Sequence, residues 1–226
     1  MNSVDVVWTV GRATLGSVVR LFAPLRSYGG DRMPRHGGLV VALNHFHWLD
    51  PPAFGTVSPR TLYYLAKSEA HEVPGLGQLI RAFGTFAVRR GQSDREAVRM
   101  MRQIVRDGNA LGLFAEGTRQ TAGVPGEVKP GAAMVALQED VPVVVGAIHG
   151  TETWRLGSFQ PVSIAWSEPM RFDGLPRSGK GYREASIEIQ REIRRQWEFL
   201  VRMHELGRPR DAVPPARTVS LAKELA

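Results

Sequence analysis

His45 and Asp50 stand five residues apart, where the apolar run Leu39 to Leu43 gives way to Asn44-His45-Phe46-His47-Trp48-Leu49-Asp50-Pro51-Pro52. A carboxylate beside an imidazole accepts the proton of one ring nitrogen, fixes the tautomer and leaves the other nitrogen more basic. Such a base takes a proton from a hydroxyl that attacks an activated carbonyl. The two prolines turn the extended segment into a loop and then a first helical turn, a bend that lets residues five apart meet. Taken alone, the pair reads more simply as a hydrogen bond that steadies a loop.

Other residues bear on that choice. Glu116-Gly117-Thr118-Arg119 follows the apolar stretch Leu111 to Phe114, so its side chains are expected on the same sheet edge as His45. An arginine at a strand end can grip a phosphate with two parallel N–H bonds, and Glu116 can orient that arginine or meet a substrate hydroxyl. The plain alternative is a solvated ion pair on a surface turn. Arg89-Arg90-Gly91 closes the stretch Gly84 to Val88 and supplies a second cationic cluster. Lys129-Pro130-Gly131 opens a helix, where an ammonium and a helix N-terminus both favour an anion. Each of these two is, by itself, an ordinary strand end or helix start.

Composition narrows the chemistry. The chain of 226 residues has no cysteine, which removes thiolate nucleophiles, thiolate metal sites and disulfides together. No Gly-x-Ser-x-Gly elbow is present, so a hydrolase-type serine has no support. The six histidines lack zinc-type spacing, and no metal is expected. A formal charge of +7, nearly all of it arginine, suits an anionic lipid, a phosphorylated substrate or a nucleic acid. No nucleic-acid motif or run of stacking aromatics accompanies it, and nucleic acid is not expected as a partner.

The elements that must hold these residues follow from periodicity. Val4 to Phe22 places Val4, Trp8, Gly11, Leu15, Val18, Val19 and Phe22 on one helical face, with Asp5, Thr9, Arg12 and Arg20 opposite. A helix of this kind can lie in a bilayer interface, or pack on the protein's own core. Strands are expected at Leu39 to Leu43, Thr61 to Ala66, Gly84 to Val88, Leu111 to Phe114, Val141 to Ile148 and Val162 to Trp166. Ser93 and Glu96 form a capping box before a helix carrying Ala97, Met101, Ile104 and Val105, which Gly108 ends. Further helices are expected at Gly131 to Gln138 and Tyr182 to Leu206. Alternating strands and helices make this an α/β single domain, its central sheet mostly covered by flanking helices, with an N-terminal amphipathic helical segment. The expected division is an interfacial segment at 1–28, the main domain at 29–206 and a mobile tail at 207–226. No signal peptide and no apolar run long enough to span a bilayer are read from the chain.

Four blocks occur in order: Asn44-His45-(four residues)-Asp50, Gly84-Thr85-Phe86-Ala87-Val88-Arg89-Arg90, Phe114-Ala115-Glu116-Gly117-Thr118-Arg119 and Val141-Pro142-Val143-Val144. Together they resemble the 1-acylglycerol-3-phosphate acyltransferase family, the lysophosphatidic acid acyltransferases. The likeness runs from about Leu39 to Met170, and the first and third blocks are the specific ones. It implies His45 as general base, Asp50 as its orienting partner, and Arg90 as a group that helps to hold the glycerol phosphate. It also implies an acceptor site formed by Glu116, Gly117, Thr118 and Arg119, with Arg119 the phosphate ligand, and Lys129 as a further substrate-binding residue. Arg89 stands where an acidic residue is common, and Ala115 where proline is common; both leave the acceptor head group open. His47 is not expected to be the base, because Asp50 is then only three residues away.

The resemblance implies transfer of a fatty acyl group from acyl-CoA or acyl carrier protein to the free hydroxyl of 1-acylglycerol 3-phosphate, giving phosphatidic acid in phospholipid biosynthesis. The thioester is a substrate, and no bound cofactor is expected. Expected partners are the lysophospholipid acceptor, the acyl donor and an anionic membrane surface, at the cytoplasmic face of the cell membrane in a peripheral or monotopic setting. Glycerol 3-phosphate or another lysolipid is the alternative acceptor, and a non-catalytic membrane-binding protein is the alternative of a different class.

Overall fold

The computed structural model describes residues 3–88 and 95–217. Among these residues seven strands form one sheet: β1 (Leu25–Tyr28), β2 (Leu39–Leu43), β3 (Leu62–Lys67), β4 (Phe86–Val88), β5 (Ala110–Phe114), β6 (Val143–His149) and β7 (Val162–Trp166). Their spatial order is β1-β7-β6-β2-β5-β3-β4. β2, β3, β4, β5 and β6 run parallel, while β7 pairs antiparallel to β6 and carries β1 parallel to itself. β2 is central and fully buried, which is why Leu39 to Leu43 reads as a continuous apolar run rather than an alternating one.

The alternation of β2 sorts the core into two layers. Leu39, Val41 and Leu43 face a cluster with Trp8, Val19, Ala53 and Phe54. These come from helices α1 (Ser3–Ala13), α2 (Leu15–Phe22) and α3 (Asp50–Val57). Val40 and Ala42 face the opposite cluster, built with Met101 and Ile104, Ala133 and Val135, and Ile189 and Ile193. Those belong to the helices after β4, β5 and β7, namely α6 (Arg95–Arg106), α7 (Gly131–Glu139) and α8 (Gly179–Glu205). Two short helices, α4 (Ser68–Glu72) and α5 (Leu76–Ala82), fill the β3–β4 connection. Glycine is required where layers approach closely: a Cβ on Gly146 would lie 2.6 Å from Leu43 and 2.7 Å from Trp166.

Several expectations change. The N-terminal helix is two helices, broken at Thr14, whose hydroxyl returns to the Val10 carbonyl. Trp8 and Val19 of the expected apolar face turn into the core, while Leu15 and Val18 of that face are exposed together with Val6, Val10 and Leu21. Arg12, expected opposite the apolar face, bonds the carbonyls of Gly55 and Arg60. β1, α4 and α5 were not legible from periodicity, being short edge or connecting elements. The last helix starts at Gly179 rather than Tyr182, and the sixth strand starts after Pro142.

The expected mobile tail is laid against the domain over its described part, 207–217. Arg32 bonds the carbonyls of Pro214 and Pro215, and Arg208 bonds those of Pro24 and Val162. Proline-containing chain without helical or strand pairing still needs its carbonyls served, and the Arg32 fork does so for Pro214 and Pro215. Arg89, Arg90, Gly91 and Ser93 lie outside the described residues, as does the remainder of the tail.

Candidate active site

Register sets the site. Leu43 of β2 lies opposite Phe114 of β5, so His45 and Glu116, each two residues beyond, emerge side by side at one sheet edge. Asn44 extends the other flank: its amide donates to the Ile148 carbonyl at 3.1 Å and accepts the Ile148 N–H at 2.8 Å. This locks the end of β2 to β6 before the chain enters the loop.

That loop folds around a carboxylate. Nδ1 of His45 lies 2.8 Å from Oδ2 of Asp50, and the same oxygen accepts the N–H groups of Phe46 at 2.6 Å and His47 at 2.8 Å. Asp50 is wholly buried at the start of α3, with Pro51 and Pro52 next to it. Proline suits this first turn because its missing N–H would have no helical partner there. The Asp50 contact makes Nδ1 the protonated nitrogen and leaves Nε2 as an acceptor. The imidazole stacks on Phe114, ring centres 4.1 Å apart.

Glu116 holds the loop from the other side. Its carboxylate accepts the His45 N–H at 2.9 Å and the Gly126 N–H at 2.8 Å, while the Gln120 N–H donates to the His45 carbonyl at 2.7 Å. Glu116 is only 2% exposed. Burial pushes its carboxyl up to about 7, against the pull of the two backbone N–H groups. Its carboxylate thus clamps the His45 loop from inside, with backbone N–H groups as its hydrogen-bond partners, a role that its expected place among the acceptor contacts did not include.

An apolar groove of about 670 Å³ runs from this edge between α1, α2, α3 and β3. His45, Phe114 and Arg119 line it together with Trp8, Val19, Phe83 and Leu156. Gly117, with φ +72°, turns the chain so that exposed Thr118 and Arg119 follow at the rim. Burial, the largest influence, holds the His47 imidazole below its ordinary value against the pull of Asp50, with Arg119 and His45 adding to the lowering. The His47 ring accepts the Leu49 N–H through Nδ1 and makes no ring contact with the Asp50 carboxylate. One wall of the mouth is aromatic: Trp154 lies edge-on to Trp48 at 5.7 Å and donates its indole N–H to the Phe22 carbonyl.

The structure thus brings His45, Asp50, Glu116 and Arg119 to one edge. Lys129 is not among the groove's lining residues. Its side chain is exposed, lies 3.6 Å from Glu127 and passes 3.8 Å from where a Cβ on Gly117 would stand, while its backbone N–H serves the Ala115 carbonyl. Arg90 falls outside the described residues. A second histidine–carboxylate pair, His149 and Glu152 at 2.8 Å, was not singled out from sequence. Its carboxylate also takes the Gly150 N–H and the Trp197 indole, and the pair does not line the groove. No cluster of metal-ligating side chains occurs among the described residues. Nor is any helix among them long and apolar enough to cross a membrane.

Comparison with known proteins agrees with this geometry. Residues 24–149, more than half of the chain, match the Acyltransferase family. The chain is 26% identical over 134 residues to the 1-acyl-sn-glycerol-3-phosphate acyltransferase of Bacillus subtilis (strain 168), covering 59% of this chain and 66% of that one. It is 39% identical over 88 residues to the lyso-ornithine lipid O-acyltransferase of Rhodobacter capsulatus, covering 38% of this chain and 31% of the relative. The chain therefore spans roughly one third to two thirds of the length of these relatives. Its fold resembles the crystal structure of the 1-acyl-sn-glycerophosphate (LPA) acyltransferase PlsC from Thermotoga maritima. The TM-score is 0.67 at 24% identity, over 88% of this chain and 79% of that one. A paired imidazole and carboxylate on a doubly covered sheet, within a matched segment of this extent, place the chain in the Acyltransferase family.

Proposed function

We propose that this protein transfers a fatty acyl group from a thioester donor to the free hydroxyl of 1-acylglycerol 3-phosphate, giving phosphatidic acid. One juxtaposition carries the reading: the His45–Asp50 pair stands on the wall of a long apolar groove that has Arg119 at its rim. In this reading Nε2 of His45 removes the acceptor proton as the oxygen attacks the thioester carbonyl, and the imidazolium then protonates the departing thiolate. Asp50 stabilises the imidazolium through Nδ1–H. Arg119 holds the acceptor phosphate, and the groove takes an acyl chain. Transfer is direct, in a ternary complex. The oxyanion formed on the way calls for N–H donors near the same loop.

The exposed apolar side chains Leu15 and Val18 of α2 line the groove with Leu156, Phe159 stacks on Phe22 of the same helix, and Leu21 of α2 is exposed as well. This supports peripheral docking on a membrane surface, from which a lysolipid enters without crossing water. The likeness to a lyso-ornithine lipid acyltransferase supports a second acceptor class, a lysolipid without phosphate.

The test is incubation of purified protein with lysophosphatidic acid and acyl-CoA, following free thiol and phosphatidic acid, with acyl carrier protein thioester and lyso-ornithine lipid as parallel arms. His45→Ala should lower turnover by at least about a hundredfold without unfolding the chain. Near-normal turnover in that variant ends the mechanism, and transfer to lyso-ornithine lipid alone reassigns the acceptor.

A further inference from the structure

The carboxylate of Asp50 is used unevenly. Oδ2 takes the His45 ring and two backbone N–H groups, whereas Oδ1 is sealed from solvent and has no hydrogen-bond partner among the described residues. A buried carboxylate oxygen without a donor is rare in folded proteins and calls for an explanation. A second sealed, unpartnered atom belongs to the same neighbourhood, the hydroxyl oxygen of Tyr64 on β3.

The rings relate the two. Tyr64 stacks on Phe114 with centres 6.0 Å apart and planes 12° apart, and Phe114 in turn stacks on His45. Tyr64 thus backs the imidazole through one intervening ring. Its other contacts hold it still: a Cβ on Gly112 would come within 2.7 Å of the ring, and Trp8 tilts against it at 6.5 Å. Asp50 and Arg12 are the charges felt at the phenol, and burial, the largest influence, keeps it protonated and able to donate. Both atoms are sealed from solvent, although Tyr64 itself lines the groove, so each needs a partner from within the protein.

We propose that Tyr64 is a positioning residue for the dyad: its O–H serves Oδ1 of Asp50, directly after a small rotation of the carboxylate or through one enclosed water. With this bond the carboxylate plane is fixed on both sides, and the His45 ring keeps one orientation toward the groove. The proposal rests on the acyltransferase reading only for its turnover measurements.

Tyr64→Phe keeps the ring stack and removes only the hydroxyl. The expected result is a kcat lowered about tenfold with both KM values unchanged, the pattern of a group whose effect is felt in the transition state. In an Asp50→Asn background the same substitution should have little further effect, since coupled residues are not additive. The Nδ1–H proton resonance of His45 should move in Tyr64→Phe, because one donor fewer shares the Asp50 charge. A raised KM with unchanged kcat, a full tenfold loss in the Asp50→Asn background, or an unmoved resonance each overturns the proposal. The resonance reports the bond whatever the chain catalyses, so an inactive wild-type protein sinks the acyltransferase reading separately.

Discussion

Glu116→Gln separates a clamp from a substrate contact. The carboxylate accepts the His45 and Gly126 N–H groups with its two oxygens, and it is 2% exposed. Glutamine keeps the shape but offers one acceptor; its NH2 must then face one of the two N–H donors. One bond is lost and two donors are left facing each other in the interior, a cost of about 2–3 kcal/mol. If that cost falls on the loop that aims His45, kcat drops by about 30- to 140-fold, at ~1.4 kcal/mol per factor of ten. If it falls on the fold as a whole, the melting temperature drops by roughly 4–10 °C for a chain of this size. The KM for the acceptor should stay put, since Glu116 does not line the groove.

The pH dependence supplies an internal check. Because burial sets the Glu116 carboxyl at about 7, acid protonates the wild-type group and leaves the glutamine untouched. The gap in kcat between wild type and Glu116→Gln should therefore narrow as pH falls below about 7 and widen above it. Steady-state kinetics on dispersed lysophosphatidic acid, run across that range beside thermal melts, measure every term. A raised acceptor KM with unchanged kcat and unchanged melting would refute the clamp and restore an acceptor contact.

Other outcomes follow from the same geometry. Arg119→Ala should raise the KM for a phosphate-bearing acceptor by about tenfold or more with a smaller effect on kcat, because a charge-assisted bond contributes ~1.5–3 kcal/mol; unchanged KM removes Arg119 from the acceptor site. Replacing Leu21 and Phe159, 64% and 53% exposed, by aspartate should weaken liposome flotation while turnover on detergent-dispersed substrate persists. Equal flotation of wild type and variant would show that this apolar rim is not the docking face. His204 is held neutral down to about 4, first by burial and then by His149 and Arg208. Since an unfolded imidazole takes a proton near ~6.5, acid favours the unfolded chain between those values. Stability present above that upper value, about 2 kcal/mol after allowing for partial exposure, should be lost toward pH 4. His204→Gln should flatten the acid slope of the melting temperature, and an unchanged slope would refute the assignment.

Some of this molecule is written locally. The apolar run Leu39 to Leu43, the Pro51-Pro52 turn and the period of α6 and α8 depend on neighbours in sequence, so the α/β class and the meeting of His45 with Asp50 could be read directly. The roles of Glu116, Lys129 and Arg12 could not. A charged residue in a turn faces solvent or the interior according to which backbone N–H groups another strand brings beside it. Here the Leu43–Phe114 register delivers His45 to Glu116, while the Lys129 side chain stays exposed beside Glu127.

The break at Thr14 is of the same kind. An apolar period of this sort fits a core face and a lipid face alike, and only packing of Trp8 on Phe83 and Gly55 decides which side turns inward. Sequence alone determined which groups are available for proton transfer and anion binding, because that is a matter of residue type and short spacing. Tertiary structure alone decided which of them share a groove, because strand register and burial join residues about seventy positions apart.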